Sequence, residues 1–214
     1  MSVGEPAGPV RKAFSGELQS IGELVSRLFA LVCESLAAAT DTFLAGDREQ
    51  AQKVRTRDAE IDELQTQLEA AIEKTMLFQA PVAGDFRRLV AALRIVPELE
   101  RSGDLAEHIA ARAAKGLGTQ LPPSVRGIVE QLGEQVGAMW KDAAESFISG
   151  DPEAPARIDA ADDAVNELHH RLWDEVAASD LSREVAMEMA LVARFYERLG
   201  DHAVHVSERV GSIH

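Results

Sequence analysis

Apolar side chains recur along this chain at intervals of three and four residues rather than at every second position. Leu18, Ile21, Val25, Leu28, Val32, Leu36 and Phe43 form one such stripe, and Val54, Ile61, Leu64, Leu68 and Ile72 form another. That period places the apolar residues on one face of an α-helix, so it predicts amphipathic helices. The strict alternation that marks a half-buried strand is not found. Turn-forming clusters interrupt the stripes at Ala45-Gly46-Asp47, Gln79-Ala80-Pro81, Lys115–Gly118 running into Pro122-Pro123, Ser149–Pro152 and Ala178-Ser179-Asp180. Six helical segments lie between them. Asp47, Asp151 and Asp180 stand where helix N-caps are wanted, with Pro152 in a tolerated first-turn position. Pro97 falls inside the third segment, where it removes a backbone donor, and a kink is expected there.

The polar pattern carries a repeat. Glu98–Asp104 reads Glu-Leu-Glu-Arg-Ser-Gly-Asp, and Glu197–Asp201 reads Glu-Arg-Leu-Gly-Asp. Both copies set a Glu and an Asp four residues apart, Glu100/Asp104 and Glu197/Asp201, and a His follows four residues later at His108 and His205. Residues spaced by four share a helix face, so each copy points two carboxylates the same way, where they repel unless a cation lies between them. The second and fifth segments carry a similar pair, Asp58/Asp62 and Asp159/Asp163. Asp58 to Asp159 spans four residues more than Glu100 to Glu197, about one helical turn. The six segments therefore pair as three plus three. An all-α fold of two tandem three-helix units is expected, with antiparallel neighbours. The expected organisation is a flexible leader over 1–10, a first repeat over 11–118 and a second over 119–214.

Four carboxylates per half converge on one patch if the second and third helices of each unit are neighbours. Oxygen-rich clusters of this kind suit hard or borderline cations such as magnesium, manganese, iron and, less ideally, zinc. Glu100 lies one turn from Val96, and Gly103 falls on the buried stripe, so the acids flank the helix seam and the glycines permit close helix approach. His108 and His205 lie about 12 Å along the axis from the leading Glu. Each belongs to an enlarged cluster, to a hydrogen bond, or to no site.

Composition narrows the reading. The chain has 214 residues, 46% of them hydrophobic but only 5% aromatic, which suits close-packed helices. A formal net charge of −14 opposes contact with a nucleic-acid backbone. Cys33 is the single cysteine, so no intrachain disulfide forms, and its apolar neighbours suit a small buried residue. The first residues lack an apolar signal region, and no apolar run is expected to reach the roughly 20 residues needed to span a bilayer. A cytoplasmic protein is expected. No glycine-rich phosphate loop, nucleophile elbow or Cys/His zinc spacing is present, so no enzyme activity is expected. Trp140 and Trp173 are expected in the core or between helices.

At the repeated acidic motifs the chain resembles the PhoU family, the accessory and regulatory proteins of bacterial phosphate-specific transport. The resemblance runs from about Val10 to His214. It includes Arg11-Lys-Ala-Phe-Ser-Gly-Glu-Leu, Asp58…Ile61-Asp62, Gln79-Ala-Pro-Val-Ala-Gly-Asp-Phe-Arg-Arg-Leu, Ala91-Ala-Leu-Arg-Ile, both Glu-Arg-x-Gly-Asp copies and His202-Ala. It implies two three-helix bundles related by a pseudo-twofold axis. It also implies multinuclear metal sites on Asp58, Asp62, Glu100, Asp104, Asp159, Asp163, Glu197 and Asp201. Such proteins restrain phosphate uptake and signalling through the phosphate ABC transporter and a membrane sensor histidine kinase, and often dimerise. They reach the membrane only through those partners. Pro97 departs from the pattern and bears on the pose of Glu100. The Asp85/Arg87/Arg88 segment serves as a helix cap with ion pairs or as a partner or phosphate contact.

Two other readings compete. A ferritin-like di-metal or metal-storage bundle wants Glu-x-x-His on two helices, and only Glu167-Leu-His-His170 is present. A purely structural helical protein would carry the acids as surface alone.

Overall fold

The computed structural model describes residues 9–79 and 81–211, with side chains from Phe14 onward. The leader expected over 1–10 lies outside the described residues except for Pro9 and Val10, which open the first helix. Seven α-helices are formed rather than the six expected, and no strand occurs among the described residues. Six are long: α1 (Pro9–Ala45), α2 (Arg48–Phe78), α3 (Ala83–Ala111), α5 (Pro123–Ser149), α6 (Ala154–Ala178) and α7 (Arg183–Gly211). The seventh, α4 (Leu117–Gln120), follows a short 3-10 turn at Arg112–Lys115 in the link between the halves.

Helices α1, α2 and α3 pack on one another, as do α5, α6 and α7. The halves then meet along two seams, α1 on α5 and α3 on α7. Apolar side chains from all six long helices merge into one core. Its centre is Trp140, fully buried, with Phe29 beside it at 6.4 Å between ring centroids and its Nε1 donating to the Leu199 carbonyl at 3.0 Å. Between α1 and α7 the buried hydroxyls of Thr40 and Tyr196 share a hydrogen bond of 2.8 Å. Both bonds satisfy buried polar groups that would otherwise lose about 1–3 kcal/mol of hydration each.

The two halves end their first helices alike. Gly46 (φ 67) and Gly150 (φ 71) adopt the left-handed conformation that stops α1 and α5, which costs a residue without Cβ little. Asp47 caps α2 by accepting from the Glu49 and Gln50 amides. Asp151 accepts from Glu153 one step ahead of α6, whose cap position is Glu153 itself; Pro155, not Pro152, takes the first turn. At α7 the capping acceptor is Ser182 Oγ, bonded to the Val185 amide, instead of Asp180. A hydroxyl three residues before the receiving amide reaches it directly, and Asp180 stands too early to do so.

Helix α3 runs unbroken through Pro97. By length and composition α1 qualifies as a membrane span over Phe14–Ala45, contrary to the expectation that no segment would. Its stripe, Val25, Leu28, Phe29, Val32, Leu36 and Phe43, is buried within the bundle, which is what a central core helix requires. Cys33 is only half-buried, and burial pushes its thiol up to about 11. Trp140 fits the expectation of a core residue, but Trp173 does not: it is exposed and donates from Nε1 to His169 Nε2 at 3.1 Å.

Candidate metal centres

The acidic motifs lie where the third helix of each half packs on the second. In the first half the close approach is made at Gly103, whose absent Cβ would lie 2.8 Å from Ile61 Cδ1 and 3.5 Å from Asp58 Oδ1. Gly200 plays the same part in the second half, against Asp162 Oδ1 and Val165. A side chain at either position would separate the helices or displace the carboxylate. The glycines thus bring α2 and α3, and α6 and α7, near enough for acids on facing helices to share one space.

In the first half three of the four expected carboxylates share one space, with Asp58 beside them. Asp62, Glu100 and Asp104 each place a ligand oxygen within 4.8 Å of the others. Asp58 Oδ1 is buried without a hydrogen-bond partner, and the Asp58 carboxyl is pushed up to about 6, by burial first and then by Asp104, Asp62 and Glu107, with His108 opposing. Glu100 is also held above its ordinary range, by burial and by Asp104 and Asp62, against Arg101. Asp104 is raised by burial and by Asp62. Crowded carboxylates that lack donors are what a cation would relieve.

The second half is built from different α6 residues than spacing suggested. Asp159 and Asp163 are exposed, and Asp162 is the acid that faces Gly200. Asp162 therefore corresponds to Asp58, and Asn166 to Asp62. Asp162 is raised by burial and then by Asp201, while Asn166 Nδ2 donates to its Oδ2 at 2.8 Å. Glu197 is likewise raised, by burial and Asp201. Asp162 Oδ1 and Glu197 Oε2 are buried without hydrogen-bond partners. The remaining oxygen of Glu197 is taken by Arg194. The residue matching Arg194 in the first half is Pro97, so the irregular proline leaves Glu100 without that guanidinium. Among the described residues, three ligand atoms come within 4.8 Å only in the first half.

The histidines are engaged elsewhere. His108 Nδ1 lies 2.6 Å from the Asp104 carbonyl one turn back, and its ring packs on Phe195 of the other half. His205 is exposed. Glu167 and His170 are both exposed on α6. Asp85 lies in the first turn of α3, but Val82 holds the cap position with no side-chain bond. Not foreseen from sequence is a polar cluster at the α3–α7 seam: the buried Ser102 and His202 Nδ1 are 3.1 Å apart, and the half-buried Glu98 meets Arg209 at 3.8 Å. Burial lowers the His202 pKa, against the pull of Glu98. The residues matching Glu98 and Arg209 are Phe195 and Arg112, whose guanidinium lies over the Phe195 ring at 4.8 Å. One polar end and one aromatic end thus close the same seam.

The PhoU domain profile matches twice, at residues 25–113 and 129–210. The chain belongs to the PhoU family. It is 33% identical over 204 residues to phosphate-specific transport system accessory protein PhoU homolog 1 of Mycobacterium leprae, covering 94% of this chain and 92% of that one. It is 35% identical over 187 residues to the PhoU homolog of Aquifex aeolicus, covering 85% and 84%. The fold matches the crystal structure of PhoU from Pseudomonas aeruginosa with TM-score 0.88 at 24% identity, covering 94% of this chain and 98% of that chain.

The metal-free carboxylates carry a prediction about pH. Asp58 has a folded pKa near 6 against a usual 3.8, so the folded state holds this proton more tightly than the unfolded one. The corresponding stability is fully present below about 3.8 and is lost as pH rises through about 6. Asp58→Asn should therefore raise the Tm of chelator-treated protein at pH 7 and leave it unchanged at pH 4. Because Asp58 is half-exposed, solvent screening reduces the gain to about 1 kcal/mol, or about 2–4 °C. Thermal scans at both pH values test this; an equal shift at both would show that Asp58 keeps its ordinary pKa.

Proposed function

We propose that this PhoU-family protein is a negative regulator and adaptor of phosphate uptake and phosphate-starvation signalling. It works in the cytoplasm as a homodimer, contacts the phosphate ABC transporter and a sensor histidine kinase, and performs no catalysis. Family membership supports the phosphate-transport role, since its relatives in Mycobacterium leprae and Aquifex aeolicus are named phosphate-specific transport system accessory proteins. In this reading the acidic patches bind iron, zinc, manganese or magnesium. Asp58, Asp62, Glu100 and Asp104 hold the first cation centre, and Asp162, Glu197 and Asp201 the second, with Asp159 and Asp163 at its outer edge. The observation that carries the metal reading is the first-half group, three ligand oxygens within 4.8 Å beside the orphaned Asp58 Oδ1. A bound cation replaces repulsion with attraction between α2 and α3 and between α6 and α7, which stiffens the faces an adaptor presents.

Untagged protein analysed for metals beside Glu100→Ala/Glu197→Ala tests the reading. Stoichiometric metal in the wild type and none in the variant is expected. Cation at about 100 times its Kd should stabilise the wild type by about 2.7 kcal/mol, or about 5–10 °C in Tm, through binding to the native state alone. No retained metal and no thermal shift after reconstitution would reduce the patches to acidic surface.

A further inference from the structure

A groove of about 770 Å³ opens at the end of the bundle where α1 and α3 begin and α5 stops. Its apolar wall comes from Phe14, Leu18 and Ile21 of α1, Leu89 of α3, and Phe147 and Ile148 of α5. Ile148 is 74% exposed. The matching corner of the other half is filled by the chain itself. Gly46 and Gly150 align the two first helices, so Phe147, Ile148 and Gly22 of the groove correspond to Phe43, Leu44 and Arg126.

Those three residues are the ones the linker segment engages. Gly118 lies so close to the Phe43 carbonyl and to Leu44 that any side chain there would overlap them. Arg126 donates to the carbonyls of both Leu44 and Gly118. Leu117 and Leu121, four residues apart, are buried beside them. The filling segment, residues 112–121, carries Arg112 and Lys115, both paired with Glu188, and no acid. The open groove has the complementary charge: Glu23 and Asp85 line it against the single cation Arg88.

We propose that this groove receives a short basic helical segment of a partner protein with two aliphatic side chains four residues apart. The segment docks as the chain's own Leu117–Leu121 turn docks at the pseudo-symmetric corner. Seating buries the apolar wall, and the basic residue takes the place at the α5 terminus that Arg126 takes at the end of α1. Gly22 leaves room for it, since a Cβ there meets no atom within 4 Å. The inference rests on the adaptor reading for its biological meaning, but binding is tested without metal.

The probe is a labelled peptide of residues 112–126, titrated with full-length protein by fluorescence anisotropy. Saturable binding on the order of micromolar is expected. Gly22→Trp fills the groove and should weaken binding at least about tenfold without lowering the Tm. A peptide with its three basic residues changed to Glu should bind at least about tenfold more weakly. No saturable binding, or binding that Gly22→Trp leaves unchanged, overturns the proposal. So does binding that appears only after residues 1–8 are removed, which assigns the groove to the chain's own N-terminus. If Gly22→Trp instead dissociates a dimer in sedimentation while the peptide does not bind, the occupant is a second copy and the proposal also falls. None of these results touches the metal titration, so failure of the groove and failure of the adaptor's metal centres remain distinguishable.

Discussion

Asp62→Asn is expected to weaken Mn²⁺ binding in the first half about 100-fold, and Asn166→Asp to strengthen it in the second about tenfold. The two centres share a scaffold but not a charge. The first has three clustered carboxylates with Asp58 beside them, and the second replaces one of the three with an amide that already donates to Asp162 at 2.8 Å. It also ties one Glu197 oxygen to Arg194. One unit charge about 4 Å from a divalent cation attracts it by about 8 kcal/mol where the effective dielectric constant is near 20. Lost hydration of both groups and relief of carboxylate repulsion offset most of this, and each ~1.4 kcal/mol that remains is a factor of ten in Kd. Removing Asp62 takes that charge from a tight centre. Adding one at Asn166 is offset by the remaining Arg194 ion pair, which explains the smaller gain. Calorimetric titration of chelator-treated protein should show two classes of Mn²⁺ site in the wild type. Asn166→Asp together with Arg194→Pro should bring the classes together, because it copies both features of the first half. Two equal classes in the wild type would contradict this account of inequivalence, while no Mn²⁺ binding at all would contradict the metal reading itself.

The helices, their grouping and the first acidic centre were legible in sequence because each rests on short-range periodicity. The stripes of α1 and α2 are buried where their spacing of three and four placed them. Gly103 and Gly200 stand at the close approaches because a repeated glycine between two acids has few other uses on a helix face. The second centre was harder to read. Asp159, Asp162 and Asp163 lie within five positions of one another, and Asp159 with Asp163 imitates the Asp-x-x-x-Asp of α2. Only the contact with Gly200 selects Asp162. The tighter register also means that α6 is shorter than α2, 25 residues against 31, a greater difference than one turn of lost connection.

Three features could not be interpreted from local sequence. Pro97 looked like a defect because its meaning lies in the missing counterpart of Arg194. Helix α4 escaped notice since four residues are too few to show a period. The Glu98–His202–Arg209 group joins residues about a hundred positions apart, which no local pattern can bring together. Trp173 misled in the opposite sense: an aromatic residue near an apolar stripe reads as core, yet here it stacks edge-on against His169 at the surface.

Trp140→Ala should be the most damaging single change in the core, lowering unfolding stability by about 3–5 kcal/mol and the Tm by about 10 °C or more. The indole is fully buried and ties three helices together: it projects from α5, packs on Phe29 of α1 in the other half and bonds to Leu199 of α7. Its removal leaves a cavity that helices from both halves line, and neither half can collapse into it without shifting against the other. Trp140→Phe keeps most of the volume and loses the 3.0 Å hydrogen bond. Since the Leu199 carbonyl lies within α7 and keeps its helical donor, that change should cost only about 1–2 kcal/mol. Urea unfolding followed by circular dichroism measures both variants, and a Trp173→Phe background isolates the buried indole's fluorescence for the wild type. With a single core joining the halves, each protein should unfold in one transition with coincident signals. Two separated steps in Trp140→Ala would mean that the halves hold their structure independently. The seam would then be a contact between two domains, and α1 on α5 and α3 on α7 would be surfaces free to move when a partner binds.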